Sequence, residues 1–160
     1  MPTYFMKKQS ISIFLLSLFL VLFSSTVLSQ KPAETIQWHQ WSDKTFTMAQ
    51  QQNKLVLLDI GAEWCQFCKK MDAVTYHDAE VIKIINKNYI AVKADIEGDL
   101  EGDSAVQQLY GSFGVPGTII LGADKKELNK RLGYISPQQM QWHLLGNLQD
   151  APVASLANNR

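Results

Sequence analysis

Cysteine is scarce in this 160-residue chain: there are two, Cys65 and Cys68, three positions apart. That excludes a scaffold held by several disulfides. It also withholds the second cysteine pair that a closed zinc cluster needs, leaving only Met71, His39, His77 and His143 as further ligands, with no shared spacing. An excess of either charge is missing too. Fifteen basic side chains meet fifteen acidic ones, so the chain lacks the basic footprint of a nucleic-acid partner. No internal repeat and no low-complexity segment breaks it up. The length leaves room for one domain, and 46% hydrophobic with 19% charged residues suits a compact globule with a real core.

The first 29 residues stand apart from that globule. Lys7 and Lys8 precede a run from Ile11 to Phe23 that is apolar except for serines, and Val27-Leu28-Ser29 follows Ser24, Ser25 and Thr26. This order reads as a secretory signal peptide cut after Ser29, or as an uncleaved N-terminal anchor, since the apolar character continues to Leu28. In both cases the lysines stay in the cytosol and the domain is delivered outside it, to the periplasm or a secretory space. No cysteine lies near the cut, which argues against a lipid anchor. Without residues 1–29 the chain keeps 13 basic and 15 acidic side chains. The expected organisation is a signal or anchor over 1–29, a domain over 30–149 and a flexible tail over 150–160.

Within the domain, Trp38, Trp41, Phe46, Met48 and Ala49 fall in a stretch with helical spacing, with Ser42 as an N-cap and Asn53-Lys54 as the break. Leu55 to Ile60 is an apolar run of strand length, fit for a central strand covered on both faces. Cys68 to Thr75 carries helical spacing, and Asp78 can cap a helix running to about Asn86. A second core strand is predicted over Tyr89–Asp95. The acidic loop Glu97, Gly98, Asp99, Glu101, Gly102, Asp103 then leads into a short helix ending near Tyr110. Thr118 to Leu121 and Glu127 to Leu132 read as a hairpin about Asp124-Lys125-Lys126. Ser136-Pro137-Gln138-Gln139 is a helix start, with a capping serine, proline at the first helical position and glutamine at the third. Strands alternate with helices and a hairpin then closes the sheet, which makes an α/β domain with a mixed sheet.

A disulfide between Cys65 and Cys68 closes too short a loop to stabilise the fold much, so the pair is there for its chemistry. It lies between a buried strand and a helix start. There, free backbone N–H groups favour a thiolate on the first cysteine, which makes Cys65 the exposed nucleophile. Cys68, one turn on, is placed to resolve a mixed disulfide, an exchange that needs no metal or organic cofactor. The competing reading is a zinc or copper half-site. The alternate acids Asp95, Glu97, Asp99 and Glu101 lack the glycine and terminal acid of a calcium loop and read as solvated.

Asp59, Trp64-Cys65-x-x-Cys68-Lys69, Lys93 and Val115-Pro116 fall in the order and approximate spacing of the thioredoxin superfamily, which the chain resembles. Within that superfamily it is most similar to the C-terminal periplasmic domain of the bacterial thiol:disulfide interchange reductases (DsbD). The matching stretches are Leu57 to Cys65, Val74-Thr75-Tyr76-His77-Asp78 with Val81, Pro116 to Glu127, and Gly133-Tyr134. The resemblance covers about residues 36–148 and implies a single-domain thioredoxin-like fold. Residue by residue, it implies that Asp59 is a buried acid that moves a proton at Cys68, with Lys93 accompanying it. Trp64 would flank the site. Val115 and a cis Pro116 would offer backbone groups to a substrate segment that pairs as an added strand. Without the resemblance, Asp59 reads as a strand-end acid reaching solvent, Lys93 as a solvated lysine, Trp64 as a core aromatic and Pro116 as a trans turn residue. Gly117 stands where the family carries threonine, and Gln66-Phe67 replaces the Gly-Pro of ordinary thioredoxins, so reductant strength cannot be borrowed.

The membrane portion that supplies electrons in that family has no counterpart within these 160 residues, which implies a separate membrane or periplasmic thiol donor. The expected function is an exported thiol–disulfide oxidoreductase reducing disulfide-containing exported proteins, acting as a monomer. Its rivals are a disulfide-donating oxidant or isomerase and a thiol-based metal-binding or partner-binding module.

Overall fold

A computed structural model describes residues 34–150. The segment read as a signal or anchor lies outside the described residues, as does the tail beyond Asp150.

The element order is β1 (Trp38–His39), α1 (Asp43–Gln52), β2 (Leu55–Gly61), α2 (Gln66–Lys70) running on as a π turn (Met71–Thr75), α3 (Ala79–Asn88), β3 (Tyr89–Asp95), α4 (Glu101–Tyr110), β4 (Gly117–Leu121), β5 (Glu127–Leu132) and α5 (Pro137–Asp150). The five strands form one sheet in the order β1-β3-β2-β4-β5. β1, β3 and β2 run parallel, while β4 and β5 are antiparallel to their neighbours. This is the thioredoxin-like α/β single domain that the sequence implied.

β2 is central because its side chains are apolar on both faces. Val56, Leu58 and Ile60 enter one core layer with Phe46 and Ala49 of α1 and Val106 of α4. Leu57 enters the other, with Met71, Tyr76, the α3 residues Val81 and Ile85, and the α5 residues Met140 and Leu144. Val56, Leu57, Leu58 and Ile60 are fully buried, each contributing roughly 2 kcal/mol of apolar burial. That anchoring offsets the cost of the one ionisable residue β2 carries inside, Asp59.

Several predicted ends are built as the residue types dictate. The side chain of Ser42 accepts the Thr45 N–H at the head of α1, and Asn53 closes that helix in the left-handed conformation at φ 56°. Asp78 Oδ1 accepts the N–H groups of Glu80 and Val81. Ser136 and Gln139 exchange reciprocal bonds at the head of α5.

Three expectations are corrected. Trp38 belongs to no helix: with His39 it forms a short edge strand beside Ala91 and Val92, and the helix begins only after Ser42. Glu101, Gly102 and Asp103 are the first turn of α4 rather than loop. Asp103 reaches back to accept the Asp95 N–H at 3.1 Å, and Gly102 lies so close to the Trp41 backbone that a Cβ would meet its carbonyl oxygen at 2.6 Å. The helix predicted over Cys68–Thr75 starts earlier, at Gln66, and its second half winds as a π turn.

Candidate active site

The C-terminal end of β2 leads into a turn in which the Cys65 N–H donates to the Ala62 carbonyl at 3.0 Å. Cys65 then caps α2, its Sγ accepting the Cys68 N–H at 3.1 Å. The two cysteines form a disulfide, with Cα atoms 5.3 Å apart. Cys68 sits over Gly61, where a Cβ would come to 3.8 Å from its Cβ and Sγ. Cys65 is 4% exposed in this oxidised state and Cys68 is half-buried. Cys65 was expected to be the exposed member, and it is not. The Ala62–Cys65 turn draws it inward, and the flanking side chains Trp64 and Phe67 take the surface instead, at 59% and 61% exposure.

Trp64 is held from across the site, its indole N–H donating to Glu97 Oε2 at 2.9 Å. The peptide bond Val115–Pro116 is cis. Gly117 pairs with Ile60, so Pro116 stands immediately before the paired segment, at the end of β2 that carries Gly61. Its carbonyl accepts the Gly133 N–H at 2.8 Å.

Behind the disulfide, three neighbouring strands place a polar row within an apolar layer. Asp59 is paired with Lys93 on one side and Thr118 on the other. Asp59 shares its face of β2 with Gly61, two residues on, and hence with Cys68. The Tyr76 hydroxyl donates to Asp59 Oδ1 at 2.8 Å, and Lys93 Nζ lies 3.9 Å from Oδ2. Lys93 is ion-paired more closely with Asp72 and lies 5.3 Å from the Trp38 ring centre. Trp38 in turn meets the Tyr76 ring edge-on at 4.9 Å. Asp59 is only 5% exposed. Burial pushes its carboxyl up to about 6, against the lowering effects of the Lys93 charge and the Tyr76 hydrogen bond. Burial, with the Asp59 charge next, lifts the Tyr76 phenol well above its ordinary value.

The structure therefore brings Cys65, Cys68, Asp59, Lys93 and Trp64 to one end of the sheet, with Val115 and Pro116 leading into β4 beside it. Tyr76, Asp72 and Glu97 were missed as site residues. A signal existed for two of them: Cys68, Asp72 and Tyr76 recur at four-residue steps, the spacing of one helix face. Glu97 carried none, because its partner lies 33 positions away.

Of the alternate acids, Glu97, Asp99 and Glu101 are exposed and Asp95 is half-buried. Asp95 accepts the Glu97 N–H, and Asp103 accepts that of Asp95. Among the described residues no group of three His, Cys, Asp or Glu side chains could hold a metal ion.

Residues 19–150 match the family model Thioredox_DsbH, described as a protein of unknown function, DUF255. The chain belongs to the Thioredox_DsbH family. It is 28% identical over 92 residues to the thiol:disulfide interchange protein DsbD of Neisseria meningitidis, a match covering 57% of this chain and 15% of that protein. The crystal structure of the Neisseria DsbD C-terminal domain in its oxidised form superposes with a TM-score of 0.52 at 26% identity, covering 62% of this chain and 87% of that one. A thioredoxin from Thermus thermophilus superposes with a TM-score of 0.64 at 16% identity, covering 79% and 98%, which bears on the fold alone. The matched segment is a small part of the curated relatives' own length, 12% for an uncharacterised Caenorhabditis elegans protein. Fold, family and cysteine pair together support thiol–disulfide oxidoreductase activity for this thioredoxin-like chain.

Proposed function

We propose that the chain reduces disulfides of exported proteins in the periplasm or an equivalent secretory space, with electrons supplied by a separate thiol donor and with no cofactor beyond the cysteine pair. The observation that carries this reading is Cys65 at the helix cap, its sulfur accepting a backbone N–H, with the buried Asp59 on the sheet face beneath Cys68.

In the dithiol form, the Cys65 thiolate attacks a substrate disulfide. One S–S bond forms as another breaks, and a substrate thiolate leaves. Asp59, on the face of β2 that Cys68 covers at Gly61, takes the Cys68 proton. The Cys68 thiolate then attacks Cys65 Sγ, closing the Cys65–Cys68 disulfide and releasing the second substrate thiolate. Two electrons have passed to the substrate, and the donor dithiol restores the pair by the same exchange in reverse. Lys93 tempers the charge on Asp59. Trp64 and Phe67 give the substrate an apolar surface, and Val115 and Pro116 offer it backbone to pair with.

The reducing direction is drawn from the likeness to the DsbD C-terminal domain, and export from the character of residues 1–29. Equilibration of the Cys65–Cys68 couple in graded thiol buffers tests the direction. A potential near the thioredoxin end, about −270 mV, supports a reductase, and one near −120 mV makes the chain an oxidant. Cys65→Ser is expected to abolish turnover of a protein disulfide. Retained catalysis by that variant would overturn the mechanism.

A further inference from the structure

The π turn that interrupts the site helix has a geometric effect on the reaction centre. The Tyr76 N–H donates to the Met71 carbonyl at 2.9 Å, five residues back. In regular α-helical winding, five residues overshoot one turn by about 140°, which would carry Tyr76 away from the face Met71 occupies. With the wider turn, Met71 and Tyr76 are both buried, at 1% and 5% exposure, in the same core layer. That places the phenol against the sheet, where its hydroxyl reaches Asp59 Oδ1 at 2.8 Å. Local widening of a helix of this kind is frequent at functional sites.

We propose that Tyr76 is a positioning residue for the redox step. Its hydroxyl holds Oδ1 of Asp59 and leaves Oδ2, the oxygen beside Lys93 at 3.9 Å, to take the proton from Cys68. This rests on the reading of Asp59 as the proton acceptor. A donated hydrogen bond favours the ionised carboxylate, the form that can accept a proton. Without it, Asp59 stays protonated to higher pH, and the resolving attack by Cys68 is slowed on the acid side only.

The other groups facing Asp59 are set by its neighbours. Lys93 comes from β3, and Asp72 from the π turn. The hydroxyl of Thr118 on β4 does not titrate, and Arg131 follows on β5, paired with Thr118. His143 of α5 feels Arg131 in turn. All of them are retained in the variants below, so a change in pH profile reports on the Tyr76–Asp59 bond.

The experiment follows the reduced full chain reacting with a dithiobis-nitrobenzoate probe. Cys65 forms a mixed disulfide and releases one thionitrobenzoate, and Cys68 then releases the second. The rate of the second phase is recorded against pH for the parent, Tyr76→Phe and Asp59→Asn. Phenylalanine keeps the ring and its edge-on contact with Trp38. Tyr76→Phe is expected to move the acid limb upward by about one pH unit, the size of one hydrogen bond to a charged group, while the high-pH plateau holds. At the parent's midpoint this is about a fivefold loss in rate. Asp59→Asn is expected to remove the limb. If Asp59→Asn removes the limb and Tyr76→Phe leaves it in place, the role of Tyr76 is refuted while that of Asp59 stands. If Asp59→Asn leaves the limb unchanged, the reading of Asp59 falls and the role of Tyr76 falls with it.

Discussion

Asp59 is costly to keep inside this protein, and the cost depends on pH in a direction the structure fixes. Burial is the dominant influence on its carboxyl, raising it from 3.8 to about 6 despite Lys93 and Tyr76. A shift of about 2 units, at 1.36 kcal/mol each, amounts to about 3 kcal/mol. The folded chain holds the Asp59 proton more tightly than the unfolded chain does. The stabilising contribution is therefore complete below about pH 4, falls as pH rises through about 6, and is gone above about pH 7. Asp59→Asn is neutral throughout. It can still accept from Tyr76, while Lys93 keeps Asp72.

The measurement is urea unfolding of the oxidised protein, followed by tryptophan fluorescence at steps across that pH range. Every other titrating group is shared by parent and variant, so the difference between their stabilities isolates Asp59. That difference is expected to grow in favour of Asp59→Asn by about 3 kcal/mol from acid to neutral pH, with no change in the denaturant slope. A flat difference would show that Asp59 is solvated in solution. A difference running the other way would mean that Lys93 and Tyr76 outweigh burial. Either result would refute the account of the site as a carboxylate made proton-hungry by desolvation.

His143 should show the opposite dependence. It is 5% exposed, and among the described residues both ring nitrogens lack a hydrogen-bond partner. Burial first and Arg131 second hold it down to about 4. Its folded value lies below its unfolded one, so it supports the fold above about pH 6.5 and withdraws that support as pH falls toward 4. His143→Leu is expected to unfold at a lower pH than the parent in acid titration, and equal acid sensitivity in parent and variant would count against this. Gly102→Ala probes the seat of α4. Its Cβ would meet the Trp41 carbonyl at 2.6 Å, a backbone atom with little room to yield. A loss of about 1–3 kcal/mol is expected by chemical denaturation, and a neutral result would mean α4 shifts freely against the Trp41 backbone.

How much of this could be read from the chain depends on the range of the interaction behind each feature. The ends of α1, α3 and α5 were legible because Ser42, Asp78 and Ser136 bond to N–H groups two or three residues away. β2 was legible because both faces are apolar. β1 was not: Trp38 and His39 are extended only because Ala91 and Val92, more than fifty positions on, offer a parallel edge. The chemistry divides the same way. The cysteine pair is written in a four-residue motif, and the resemblance supplied Asp59 and Lys93, but the partner of each charge is a matter of register and winding. Lys93 was assigned to Asp59, yet it bonds more closely to Asp72. A lysine beside a buried acid would by itself draw the carboxyl down toward ordinary values. Asp72 takes up that lysine and adds its own negative charge, which works with burial to keep Asp59 high. Five positions past Met71, Tyr76 needed the π turn to reach Asp59 at all. The tuning of the acid thus rests on two residues of the site helix, whose four-residue spacing from Cys68 was visible but whose aim was set by a winding that no local propensity announces.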